Sequence, residues 1–168
     1  MSSIRVIRLP SSDTRYDESI TEIINDYAQI EIIHGKPLPD DVLRRMLPGF
    51  RQHGGLIFLA FDAADEQHPV GVATVIRGFS TFYARPLLNV HDLVVAQGWQ
   101  GRGIGTELLR AVEEYAREVG CCKVTLEVLA ANQRAHALYQ RLGYDRLPDG
   151  STLEASYFMQ KPLLPADE

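Results

Sequence analysis

Apolar residues recur along this chain with two periods, one near 3.6 and one near 2, and the switches between them delimit its elements. Ile4, Val6 and Leu9 alternate imperfectly with Arg5 and Arg8 before Pro10, which predicts a short first strand. From Glu18 onward, Ile20, Ile23, Ile24, Tyr27 and Ile30 fall at helical spacing until Gly35, Pro37 and Pro39 break the pattern. Asp40 is expected to cap a second helix carrying Val42, Leu43, Met46 and Leu47. Leu56 to Phe61 and Val70 to Ile76 are apolar, β-rich runs joined by the polar stretch Asp62 to Pro69, which reads as a hairpin loop. Ser80 to Leu87, with its Arg85-Pro86 pair, reads as a second loop, and Leu88 to Val95 as the next strand.

After that strand the period changes again. Ile104, Leu108, Ala111, Val112, Tyr115 and Val119 mark an amphipathic helix, with Gly120 placed to end it at C′. Cys122, Val124, Leu126 and Val128 then alternate with Lys123, Thr125 and Glu127, which predicts a strand over Cys122 to Val128. A strand, helix and strand in this order form a βαβ unit whose two strands should run parallel. Asn132 to Leu142 reads as a short helix closed by Gly143, and Glu154 to Lys161 as a last strand. No internal repeat or low-complexity tract interrupts the chain, so residues 1–168 are read as a single domain.

Composition narrows the class. A length of 168 residues with 45% hydrophobic content suits one globular core. A formal charge of -5 argues against nucleic acid as the main partner, because phosphate contacts need a basic face. Cys121 and Cys122 are adjacent, which rules out an ordinary disulfide staple, and two cysteines alone make no metal site. No run approaches the roughly 18 apolar residues of a membrane span, and the first residues lack the pattern of a signal peptide. The expectation is a soluble cytoplasmic protein with no membrane partner and no metal.

The richest segment is Gln100-Gly101-Arg102-Gly103-Ile104-Gly105, between the strand ending at Val95 and the helix that follows. Glycines there expose backbone N–H groups at a helix N-terminus, where the macrodipole favours negative charge, so the turn is an anion cradle. It is not a dinucleotide fingerprint, since Thr106 stands where the last glycine after Gly101 and Gly103 should be. It is not a P-loop either, because no Lys-Ser or Lys-Thr follows.

Gln100, Gly103 and Gly105 occupy the fixed positions of the pattern Gln/Arg-x-x-Gly-x-Gly/Ala, and Arg102 adds a basic residue. Asn132 opens the later helix and Tyr139 follows it seven positions on. On these motifs, from about Leu88 to Tyr144, the chain resembles the Gcn5-related N-acetyltransferase (GNAT) family. The resemblance implies an α/β fold (α+β, mixed sheet), a GNAT-like acyl-CoA N-acyltransferase fold of about seven strands with four helices. It implies an enzyme that moves acetyl from acetyl-CoA, its co-substrate, to the primary amine of a small molecule or peptide, without metal. A homodimer is common among such proteins.

The resemblance also distributes roles. The N–H groups of Gly101, Arg102, Gly103, Ile104, Gly105 and Thr106 would hold the CoA pyrophosphate, and a β-carbon at Gly103 or Gly105 should obstruct it. Leu93, Val94 and Val95 would pair with the pantetheine arm through backbone, as an added strand. Asn132 would anchor pantetheine by its amide, and Tyr139, two turns along the same helix face, would protonate the departing thiolate. His91 is the candidate base, with Glu127 or a water chain as the alternatives, and Asn89 fills the other usual base position without being able to act as one. Strand alternation places Asn89, His91, Leu93 and Val95 on one face and Val90, Asp92 and Val94 on the other, which makes Asp92 a structural acceptor. Arg102 and Arg141 are candidates for CoA phosphates, and Trp99 reads as a loop aromatic packed on a neighbouring helix. Ile30 to Arg51, Phe79 to Asn89 and Asp149 to Tyr157 would line the acceptor. Two other readings stay open: a non-catalytic acyl-CoA sensor, and a transferase acting on an alcohol or thiol.

Overall fold

A computed structural model describes residues 3–145, 150–153, 158–161 and 163, grouped in two compact units, 1–126 and 127–168. The first unit is built on β1 (Ile4–Leu9), β2 (Leu56–Asp62), β3 (Asp65–Ser80), β4 (Arg85–Val95) and β5 (Val124–Leu126), adjacent in that order in one sheet. The first three pairings are antiparallel. β4 and β5 run parallel, as the strand-helix-strand order requires. Three helices belong to this unit: α1 (Asp17–Ala28), α2 (Asp40–Gln52) and α3 (Ile104–Glu118).

The mixed α+β class matches expectation, but the sheet has five strands among the described residues where about seven were expected. The expected last strand, Glu154 to Lys161, lies partly outside the described residues, and 158–161 form no strand. β5 is only three residues long, Val124–Leu126, because its pairing to β4 stops at Val90 opposite Leu126. The two expected loops are mostly strand. β3 starts at Asp65, and a bulge where Phe61 faces Pro69 absorbs a residue that cannot donate to the ladder. β3 and β4 also extend into a hairpin arm, with Ser80 opposite Arg85, across the stretch read as a loop. Residues 76–79 of this arm are exposed, while Ser80 at its tip and Leu88 opposite Arg77 are buried.

Each face of the sheet is covered by helix. Ile57, Leu59, Val72 and Val94 point to one face and pack with Ile20, Ile23 and Ile24 of α1 and Leu47 of α2. Phe58 points the other way and meets Tyr115 of α3 edge-on, ring centres 6.0 Å apart. Ile104, Leu108, Leu109 and Val112 complete that buried stripe of α3. α1 ends at Ala28, before the periodic pattern does, because the Ala28 carbonyl accepts from Gly35 N–H at 3.0 Å and turns the chain away. Ile30 is left 44% exposed in consequence. Asp40 begins α2 without a side-chain cap, Pro39 being the N-cap residue, and its charge favours the positive end of the helix.

Two polar contacts hold α1 and α2 in register. Asn25 Oδ1 accepts from Leu38 N–H at 2.8 Å, which ties the connection back to α1. Arg51, near the end of α2, donates to both carboxylate oxygens of Asp17 at the start of α1 and to the Asp13 carbonyl. Its side chain is only 10% exposed, so this bidentate pair is partly shielded from water. The second unit contains α4 (Gln133–Arg141), capped by Asn132, whose Oδ1 accepts from Ala135 N–H at 3.1 Å. Among the described residues no helix is long and apolar enough to cross a membrane.

Two substitutions test this packing by chemical denaturation. Gly71 lets α3 approach β3: a β-carbon there would lie 2.9 Å from Ile104 Cγ2 and 3.2 Å from the Val94 carbonyl. Gly71→Ala should therefore lower stability by about 1–3 kcal/mol through overpacking. Arg51→Ala removes a charged, half-buried partner and should cost about 2 kcal/mol.

Candidate functional site

β4 contains one residue more than its partner strand. Val75 faces Val90 and Thr74 faces Asp92, so His91 is the extra residue of a bulge. The side chain of Thr74, buried in β3, stitches the bulge closed. Its Oγ1 accepts from Asp92 N–H at 3.0 Å and donates to Asp92 Oδ2 at 2.5 Å.

This extra residue breaks the strict alternation expected for β4. The pairings place Asn89, Asp92 and Val94 on the face toward α1 and α2, and Leu88, Val90, Leu93 and Val95 on the face toward α3. Asp92 and His91 were expected on opposite faces, yet both line one cleft, because the bulge turns two consecutive side chains to the same side. Asn89 donates from Nδ2 to Thr125 Oγ1 at 3.0 Å, which joins β4 to β5 on that face.

The cleft is open to solvent and offers about 570 Å³, a size suited to a small organic molecule. Ile24, Met46, Leu47 and Phe50 form its apolar walls, and Thr74, His91, Asp92 and His53 supply polar groups. Phe50 keeps its place because Gly55 has no side chain: a β-carbon there would lie 2.3 Å from the ring. His53 caps the end of α2, with Nδ1 2.8 Å from the Gly49 carbonyl. Burial, together with the charge of Asp92, pushes the Tyr27 hydroxyl above its ordinary pKa.

Of the segments expected to line an acceptor, Ile30 to Arg51 contributes Met46, Leu47, Gly49 and Phe50, whereas Phe79 to Asn89 contributes no lining residue. Asp149 to Tyr157 lies partly outside the described residues. Ile24, His53 and Thr74 were not singled out in the sequence. Ile24 was read as one more core position of a periodic helix, and no local pattern distinguishes a histidine that follows a helix or a threonine in an apolar strand.

The glycine turn lies past the other end of β4. Gly101 and Gly103 have φ of 82° and 83°, left-handed values that glycine adopts without steric cost. Gly103 is the N-cap of α3, with no side-chain cap, and the first bond along the helix runs from Glu107 N–H to the Gly103 carbonyl. The N–H groups of Ile104, Gly105 and Thr106 therefore have no helical partner. Gln100 donates to the Val95 carbonyl at 3.4 Å, and Arg102 donates to the Gly98 carbonyl at 3.2 Å. The Arg102 guanidinium also stacks 4.5 Å above the Trp99 ring centre, so Trp99 packs on an arginine of the turn.

Between bulge and turn, β4 is paired on one side. Leu93, Val94 and Val95 face Ala73, Val72 and Gly71 of β3, while β5 ends opposite Val90. Their second edge has no strand neighbour among the described residues. In the second unit, Asn132 caps α4 and Tyr139 is buried, its ring centre 5.8 Å from that of Tyr144. No group of three His, Cys, Asp or Glu residues among the described residues could hold a metal.

Comparison with known proteins identifies the family. The chain is 34% identical over 80 residues to a thialysine N-epsilon-acetyltransferase of Bos taurus, a match covering 48% of this chain and 46% of that protein. The match with an uncharacterized N-acetyltransferase of Methanocaldococcus jannaschii is 37% identical and covers 46% of this chain and 34% of that protein, so less than half of each of these relatives is spanned. An aminoglycoside N(6')-acetyltransferase of Stenotrophomonas maltophilia is 27% identical over 136 residues, covering 77% of this chain and 82% of that protein. Among solved structures, a probable acetyltransferase superposes with a TM-score of 0.75 at 18% identity, covering 98% of this chain and 99% of that one. An aminoglycoside acetyltransferase from an uncultured soil metagenomic sample superposes with a TM-score of 0.71 at 19% identity, covering 95% and 97%. The model of the acetyltransferase (GNAT) family matches residues 18–144, most of the chain, and the protein belongs to that family.

Proposed function

We propose that this protein is an N-acetyltransferase that moves acetyl from acetyl-CoA directly to a primary amine, in a ternary complex. The observation that carries this reading is the juxtaposition along β4 of an open strand edge, Leu93 to Val95, with a glycine turn whose N–H groups lack helical partners. Such an edge suits the amides of a pantetheine arm, and such a turn suits a pyrophosphate.

In this reading the residues divide the work. Backbone N–H groups from Gly101 to Thr106 bind the pyrophosphate, and Gln100 braces the turn against Val95. When bound, acetyl-CoA supplies the activated thioester carbonyl. His91 accepts a proton from the substrate ammonium, so that the neutral nitrogen can form the new C–N bond as the C–S bond breaks. Tyr139 gives its proton to the leaving thiolate and is reprotonated, through solvent, by the second proton that the acylated nitrogen sheds; the acetylated amine and free CoA depart, and His91 releases the first proton to solvent. Asn132 uses its Oδ1 for the cap of α4, and in this reading the NH2 end of its amide contacts pantetheine. An acyl-enzyme on Cys121 is disfavoured, because burial and the neighbouring Cys122 push its thiol above the ordinary pKa and deplete the thiolate.

A turnover screen with acetyl-CoA over small amines, amino acids, polyamines and peptide N-termini, with products identified by mass spectrometry, should yield an acetylated amine. CoA binding without any product would favour the sensor reading, and acetyl on oxygen or sulfur would favour a different transferase. Tyr139→Phe should lower kcat by at least about tenfold with CoA affinity by calorimetry nearly unchanged; equal losses in both would remove the acid role. Gly103→Val should weaken CoA binding and also cost about 1–2 kcal/mol in thermal unfolding. The added carbon meets open space but the backbone is left-handed, with φ of 83°.

A further inference from the structure

We propose that the cleft beside β4 selects an acceptor with a single ammonium group on an apolar body, and that the Asp92 carboxylate is the anchor for that ammonium. This inference rests on the amine acetyltransferase reading above and adds the class of amine.

Asp92 is a half-buried carboxylate with a fixed orientation. Thr74 engages its Oδ2 and its backbone N–H, while Oδ1 takes no hydrogen bond among the described residues. No lysine or arginine pairs with it there, although other carboxylates of the chain find such partners. A shielded carboxylate facing a cleft without a countercharge favours a cationic ligand, which would offset its desolvation.

The remaining lining sets the rest of the selectivity. Ile24, Met46, Leu47 and Phe50 offer no polar group and Asp92 is the single carboxylate of the lining, so the second ammonium of a polyamine would find no countercharge in the cleft. No lysine or arginine lines the cleft to receive a substrate carboxylate, and Arg51, next to Phe50, is committed to Asp17. His53 fits the same ligand. A carbonyl can only accept, so Nδ1 facing Gly49 carries the proton, and in the neutral ring Nε2 is an acceptor.

Calorimetry with the full chain tests this using phenethylammonium, its neutral isostere 2-phenylethanol, the dication of p-xylylenediamine and zwitterionic phenylalanine. Phenethylammonium should bind at least about tenfold more tightly than each of the others, and Asp92→Asn should abolish its advantage while leaving 2-phenylethanol unchanged. Equal binding of ammonium and alcohol, tighter binding of the dication or zwitterion, a preference that survives Asp92→Asn, or no binding at all would overturn the inference. If Asp92→Asn fails to fold, the order of the four ligands on the unsubstituted protein still decides. Acetylation of phenethylamine is measured separately. An Asp92-dependent preference without transfer supports the anchor and counts against the enzymatic reading; transfer without the preference does the reverse.

Discussion

Thr74 and Asp92 make two hydrogen bonds across neighbouring strands, and the arrangement of the site follows from them. In an unbroken antiparallel ladder the Asp92 N–H would bond to a backbone carbonyl; here it bonds to the Thr74 hydroxyl, and that same hydroxyl donates back to the carboxylate. One residue of β4 is thereby left over, and that residue is His91. The bulge turns His91 and Asp92 into the same cleft, and it follows directly on the last pairing with β5. A single irregularity thus separates the half of β4 that is enclosed by strands from the half whose edge is open.

The surrounding packing holds that irregularity in place. On one face, α1 and α2 are locked to each other by Arg51 and Asp17, so the apolar cleft walls are held where Asp92 faces them. On the other face, α3 approaches the sheet closely at Gly71, where a side chain would collide with Ile104. Ile104 is the first residue of α3, directly after the left-handed Gly103, so the contact that seats the helix also aims its N-terminus. The glycine turn and the cleft are therefore positioned by opposite faces of one sheet, with β4 as the element they share.

This division has a chemical counterpart. The turn and the open edge present backbone groups, which suit a ligand with many amide and phosphate oxygens whatever group it carries. The cleft presents side chains, and its character comes from a few of them: one carboxylate, two histidines and an apolar wall.

Elements whose signals are local are legible in the sequence. Periodicity marked α1, α3 and the apolar cores of β2 to β4, and the spacing of Gln100, Gly103, Gly105, Asn132 and Tyr139 identified the family that the comparisons establish. Left-handed glycines and an asparagine cap are local requirements, each met by one residue type in one place. The hairpin arm and the short β5 have no local signature, since backbone pairing depends on a partner strand and not on the composition of the segment. Tertiary pairing alone sets which side chains of β4 before the bulge share a face with Asp92. Alternation has a period of two, and a one-residue bulge, held by a threonine 18 positions away in the sequence, reverses it without leaving a local trace.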